Sequence, residues 1–156
     1  MGSRLRVVGR AAVLAAGVGA CVPAQQGAAP AGGRLGVATL NQTLTGNTLV
    51  ASRAGGGGDY CAFHSTEAVL SGSLIVRGTD RGQPYRGTWR VEAQPDVRDS
   101  AAAGAAGFVC YSFPDAGVFA ECRMLRTDAG GGVTVLDRAG HVYASGRIVA
   151  GDACGG

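Results

Sequence analysis

Lysine is absent from this 156-residue chain, and all 14 of its basic residues are arginine. Histidine occurs twice, tryptophan once, and aromatic residues make up 6% of the sequence. After Ala20 no stretch approaches the roughly 20 consecutive apolar residues that a membrane-spanning helix needs, which excludes a helical span. No amphipathic run of about 12 residues with helical period occurs either, and this argues against a helical bundle. Without lysine there is no phosphate-binding loop: Gly55-Gly56-Gly57-Gly58 has neither the spacing nor the Lys-Ser/Thr that would follow it, and it precedes a strand pattern. Those glycines read as a hairpin loop.

What is present begins with a leader. Arg4, Arg6 and Arg10 form a basic start, and Ala11 to Ala20 an apolar core of signal-peptide length. Val18-Gly19-Ala20-Cys21 then has the order of a lipoprotein signal, a small residue before an acceptor cysteine. Residues 1–20 are therefore expected to be removed and Cys21 lipidated. Val18-Gly19-Ala20 also suits ordinary signal peptidase, as does Val22-Pro23-Ala24, and either cut would release a soluble protein. Three of the 14 arginines precede Cys21, which leaves 11 facing 11 acidic residues. The mature chain is neutral, and a nucleic-acid partner has no support.

Five cysteines, Cys21, Cys61, Cys110, Cys122 and Cys154, give an odd count, which in an exported chain leaves one thiol unpaired. Lipidation of Cys21 leaves four for two disulfides. Cys110 and Cys122 each stand six residues from Ala116, inside the turn Pro114-Asp115-Ala116-Gly117. A hairpin centred there sets them opposite each other, at the short separation a disulfide accepts. Cys61 would then pair with Cys154, although four cysteines allow three connectivities. Because Val118, Ala120, Cys122 and Met124 alternate, this face of the hairpin is expected to point inward.

Residues 21–34 read as a flexible tether, since Gln25–Gly33 is small, uncharged and rich in Ala, Gly and Pro. Residues 35–156 read as one all-β domain, a small antiparallel barrel or sandwich of about 7–8 strands. Tyr85–Glu92 alternates strictly, with Tyr85, Gly87, Trp89 and Val91 on one face. Similar runs cover Thr48–Ala51, Tyr60–Ser65, Ala68–Val76, Phe108–Phe113, Val118–Leu125, Val133–Leu136 and Val142–Val149. Turn residues separate them, among them Gly78–Gly82 and Asp137–Gly140. Leu35–Leu44 is the one candidate for a helical turn, and Ala101–Ala106 suits helix or loop equally.

The search for chemistry yields no catalytic residue, no metal site and no cofactor. His64 and His141 stand in no nucleophile motif. Cys61-x-x-His64 is the single short ligand spacing, with nothing to complete a tetrahedron. Glu92, Asp96 and Asp99 are interleaved with Pro95, Val97 and Arg98, as in a solvated loop. Trp89 reads as the core aromatic of its strand.

Leu44-Thr45-Gly46-Asn47-Thr48, Gly87-Thr88-Trp89-Arg90-Val91, Val109-Cys110-Tyr111, Glu121-Cys122 and the closing Ile148-Val149-Ala150-Gly151 together resemble the landmarks of small exported proteobacterial β proteins and lipoproteins. The resemblance implies a compact β fold outside the cytoplasm and no particular activity. The Gly55–Gly58 loop and an insertion at Asp99–Gly107 depart from it. A lipocalin also carries Gly-x-Trp, but on its first strand, and the mid-domain position of Trp89 argues against a ligand calyx.

The expected function is therefore a non-catalytic binding or structural accessory of the cell envelope. It would be held by lipid at the periplasmic side of the outer membrane, because Val22 is not the Asp that favours inner-membrane retention. The alternative is an inhibitor of a secreted protease or lysozyme, presenting Gly78–Pro84 or Asp96–Gly107 as a rigid loop to a protein partner.

Overall fold

The structure, a computed structural model, describes residues 33–93 and 106–155. The leader, Cys21 and nearly all of the tether lie outside the described residues. One helix, α1 (Val37–Leu44), precedes eight strands: β1 (Asn47–Arg53), β2 (Asp59–Ala68), β3 (Leu74–Asp80), β4 (Gln83–Ala93), β5 (Gly107–Phe113), β6 (Val118–Thr127), β7 (Gly132–Leu136) and β8 (Val142–Ala150). Each strand pairs antiparallel with the next, and β8 returns to pair with β1, so the sheet closes into an up-and-down barrel. Closure settles the choice between barrel and sandwich and leaves no unpaired sheet edge.

Period-2 alternation decides what fills the barrel. Leu49 and Ala51 of β1, Ala62 of β2, Val76 of β3, Trp89 of β4, Val109 of β5, Leu125 of β6, Val133 and Val135 of β7 and Ala144 of β8 form the buried core. Two glycines on inward positions allow the seams to close. At Gly78 and Gly146 a Cβ would run into the backbone of the neighbouring strand, at Cys61 and at Val50 respectively, so no larger residue fits.

The two ends of the barrel differ. At the end where β1 begins, Leu40 and Leu44 of α1 are fully buried together with Leu35 and plug the lumen. The chain before α1 is stitched to the same end, with Leu35 N–H donating to Leu125 O and Gly107 N–H donating to Leu35 O, both at 3.0 Å. The opposite end carries no such plug among the described residues, and there the cavity described below opens.

The structure redraws two turns. Ala68–Val76 is not one strand: Val69–Ser73 turns, with Val69 N–H donating to Ser73 O at 2.8 Å. Strand β3 instead runs on through Gly78 to Asp80, and the β3–β4 turn shrinks to Arg81-Gly82, with φ of 50° and 77°. Two positive φ values match the twist of the flanking strands in a two-residue hairpin. The helical turn expected within Leu35–Leu44 is α1; Ala101–Ala105 lies outside the described residues, and Ala106 bridges to Gly36.

Both expected cysteine pairs are joined. Cys110 and Cys122 are directly opposed across β5 and β6 with a Cα separation of 3.9 Å, and Cys61 and Cys154 with 5.5 Å. The expected orientation of the hairpin is reversed, however. Cys110, Cys122 and Met124 face away from the lumen and form a separate outer cluster with Phe108 and Leu136. The inward side of β6 carries Glu121, Arg123 and Leu125 instead. Cys61 also faces outward, so its bridge straps the C-terminal tail to the outer wall. Further contacts hold that strap: Thr48 Oγ1 donates to Gly151 O at 2.6 Å and accepts from Ala153 N–H at 2.9 Å, and Arg77 meets Asp152 at 2.8 Å.

Candidate functional site

At the unplugged end the lumen widens into a cavity of about 240 Å³. All four tyrosines of the chain line it: Tyr60, Tyr85, Tyr111 and Tyr143. Each reaches it by its strand's parity except Tyr143. In β8 the pairing slips between Ala144 and Val142, so Tyr143 is the extra residue of a bulge, which re-aims it into the mouth. Phe113 completes the aromatic set, with its ring 5.3 Å from Tyr85 edge-on and 5.9 Å from Tyr111 in a stacked arrangement.

Two arginines share the mouth, and each is paired. Arg53 grips Asp80 with both terminal nitrogens, at 2.5 and 2.9 Å, and its Nε donates to the Tyr143 hydroxyl at 2.9 Å. Arg123 pairs with Glu121 on its own strand and lies 4.0 Å over the ring of Tyr143. Guanidinium over a ring face is attractive because the face of the ring is electron-rich. The Asp80 carboxyl is held below the usual carboxylate range, chiefly by the hydrogen bonds from Arg53. Those bonds also raise the Arg53 guanidinium further above its ordinary value.

The charges of the mouth thus cancel pairwise, which is what allows them inside a barrel. Three buried side-chain atoms have no hydrogen-bond partner among the described residues: Arg123 Nε at the mouth, and His64 Nδ1 and Trp89 Nε1 deeper in the barrel. Such an unmet polar atom costs about 1–3 kcal/mol.

Beneath the cavity lies a floor of His64 and Trp89, their rings 5.0 Å apart and edge to face. The Tyr111 hydroxyl meets His64 Nε2 at 2.9 Å, joining wall to floor. Burial lowers the His64 pKa to about 4, an effect that backbone groups of Asn47 and Ala62 offset only in part. The imidazole is therefore neutral at physiological pH. Burial raises the hydroxyl pKa values of Tyr60, Tyr85 and Tyr111 in turn, so the cavity is lined by neutral phenols.

The residues singled out in the sequence are dispersed. Cys61 and His64 stand on opposite faces of β2, so their short spacing brings no ligand pair together. Glu92, Cys110 and Cys122 cluster closely enough to suggest metal, but both sulfurs are engaged in a disulfide and present no thiolate. Glu92 bonds Arg90 at 2.5 Å, and Asp96 and Asp99 lie outside the described residues. His141 sits exposed in the β7–β8 turn, 3.2 Å from Asp137. Trp89 belongs to the core, as its strand pattern implied.

Sequence reasoning missed the mouth itself, and the mid-domain Trp89 had argued against any calyx. A signal was nevertheless there: Glu121 and Arg123 share a face with Leu125, an ion pair on the inward side of a strand. Two disulfides accord with an oxidising, non-cytoplasmic environment. Comparisons of the chain with protein-family models, with curated proteins and with solved structures found no match to any of them.

Proposed function

We propose that this protein is a non-catalytic binding protein of the cell envelope, anchored by lipid on Cys21, whose barrel mouth takes a small ligand. One observation carries the binding half of the proposal: a cavity of about 240 Å³ at the unplugged end, lined by every tyrosine of the chain. Concave sites with mostly apolar walls and a few placed polar groups are where proteins hold small molecules. The plug of α1 at the other end makes the mouth the way in. The anchor is supported by the order of residues before Cys21 and by the pairing of the four remaining cysteines with one another.

The inhibitor alternative gains little from the loops assigned to it. Gly78–Pro84 is two strand ends joined by a two-residue turn, not a projecting loop, and of Asp96–Gly107 residues 96–105 lie outside the described residues.

The two halves are tested apart. Labelled palmitate should be incorporated into the full-length protein and lost in Cys21→Ser; unlabelled protein in the medium would remove the anchor. Binding is tested by filling the mouth: Ala62→Phe, at a cavity-lining position, should abolish uptake of small aromatic probes while both disulfides still form. Undiminished uptake in that variant would place binding elsewhere.

A further inference from the structure

We infer that the ligand of the mouth is a small aromatic carboxylate whose acid group takes the place of Asp80 on the Arg53 guanidinium, an inference that rests on the mouth being a binding site. Arg53 and Asp80 both line the cavity. Size sets the first limit. A dry cavity of roughly 150 Å³ holds benzene, so about 240 Å³ suits a substituted ring or two fused ones.

The charges of the mouth are layered. In both ion pairs the guanidinium is the deeper partner: Arg53 is 19% exposed against 36% for Asp80, and Arg123 14% against 37% for Glu121. The cations belong to the wall, while the carboxylates stand toward solvent, where water takes them back at little cost. The hydroxyls of the wall sense the same order. Burial raises the pKa of Tyr60 and of Tyr111; both guanidiniums oppose that rise at Tyr60, and Arg123 opposes it at Tyr111. A negative group entering the cavity therefore meets cations first.

Arg53 can change partner without moving. Its Nε is fixed by the Tyr143 hydroxyl at 2.9 Å, and its guanidinium carbon lies 5.5 Å from the ring centres of Tyr60 and Tyr143. Its two terminal nitrogens, 2.5 and 2.9 Å from the Asp80 oxygens, present a fork that fits a carboxylate. Asp80 has a second cation at the rim, Arg81 Nε at 3.8 Å, on a side chain that is 70% exposed. When a ligand carboxylate replaces it, Asp80 keeps Arg81 and water, and Arg53 keeps Tyr143 and gains the ligand. No charge is stranded.

The ring of the ligand has its own wall. Tyr85, Tyr111 and Phe113 come from β4 and β5, across the closed sheet from Tyr143, Arg53 and Tyr60 of β8, β1 and β2. No guanidinium lies over those three rings among the described residues. An aromatic ring reaching inward from Arg53 packs on them offset or edge to face.

Three probes of one skeleton test this: indane-2-carboxylate, the neutral indane-2-carboxamide and the cationic 2-aminoindane. Tyrosine-selective isotope labelling reads the cavity alone, because all four tyrosines line it. The carboxylate should bind tightest, about fivefold above the carboxamide, since hydrogen bonds between charged groups are the stronger. Asp80→Asn removes the competitor and should tighten the carboxylate by about a further fivefold, the worth of a partly exposed pair. Glu121→Gln removes a charge of the mouth but no partner of Arg53, and should tighten it less. In Arg53→Gln the preference for the carboxylate should vanish.

The carboxamide or the amine binding as tightly as the carboxylate would overturn the anionic class. An equal gain in Asp80→Asn and Glu121→Gln, or none in either, would overturn the exchange on Arg53. Both outcomes leave the mouth a binding site. Tyrosine signals unmoved by all three probes would overturn the site itself. If Arg53→Gln does not fold, the two carboxylate-to-amide variants and the probe order in the unaltered protein decide.

Discussion

His64 Nε2 lies 2.9 Å from the Tyr111 hydroxyl oxygen, and through that contact a fully buried imidazole under the cavity is tied to the cavity wall. Floor and wall are thus one hydrogen-bonded unit. The imidazole packs against the rings of Trp89 and Tyr111, and among the described residues no carboxylate acts on it to stabilise a positive charge. Its protonation is therefore linked to the stability of the whole barrel.

The sign of that linkage follows from the direction of the shift. The folded pKa of His64 is lowered from 6.5 to about 4, so between those values the unfolded chain binds a proton that the folded one refuses. Stability is full above pH 6.5 and falls as the pH drops toward about 4, by roughly 3 kcal/mol at 1.36 kcal/mol per unit. Asp80 and Asp152, whose folded values are lowered, keep their contributions above the ordinary carboxylate range and lose them as pH falls through the folded values, a separate and more acid window. Urea unfolding at half-unit pH steps should show the slope between pH 6.5 and 4 and its loss in His64→Leu. An unchanged slope in that variant would remove His64 as its cause.

The two disulfides should differ in weight. Cys61 and Cys154 are 93 residues apart and Cys110 and Cys122 only 12. In the chain-entropy model the longer loop contributes between about 4 and 5 kcal/mol and the shorter about 3 kcal/mol. Cys61→Ser/Cys154→Ser should accordingly lower the denaturation midpoint more than Cys110→Ser/Cys122→Ser does. The reverse order would mean that the outer cluster around Cys122 matters more than the strap of the tail.

What the sequence revealed and concealed divides along physical lines. The strands were legible because alternation is local, and the Cys110–Cys122 pair because a turn fixes its own register. Closure was not legible, since the pairing of Thr48 with Val149 spans most of the chain and no local pattern announces it. Nor was the site: each tyrosine looks like an ordinary strand aromatic, and only closure makes Tyr60, Tyr85, Tyr111 and Tyr143 neighbours. The β6 face was misread for a related reason. Apolar residues were assigned to the inside, but Glu121 and Arg123 point inward and pair with each other at the mouth, where each charge meets its opposite.

The Arg53–Asp80 pair predicts a modest, salt-dependent effect. Its side chains are 19% and 36% exposed, so solvent screens much of the attraction despite the two-pronged geometry. Asp80→Asn should cost about 1 kcal/mol at low ionic strength, and the difference should shrink in 1 M salt, where charges are screened within about 3 Å. A larger loss that is insensitive to salt would point to packing at the mouth, not to charge.

Gly146 gives the sharpest test of the closed barrel. It lies opposite Ala51 on β1 and Val133 on β7, at the seam where the last strand meets the first. A Cβ there would collide with the backbone of Val50 and Ala51, both parts of the neighbouring strand and unable to rotate aside. Overpacking of this kind costs at least about 1–3 kcal/mol, and rigid neighbours push it to the upper end. Gly130 has ordinary clearance, with the nearest side-chain atom at 3.4 Å, so Gly130→Ala should stay within about 0.5 kcal/mol of the unaltered protein. Thermal and urea unfolding of the two variants should therefore separate clearly. Equal stability would mean that β8 and β1 do not approach as a closed barrel requires, and the tyrosines of the mouth would then have no common cavity to line.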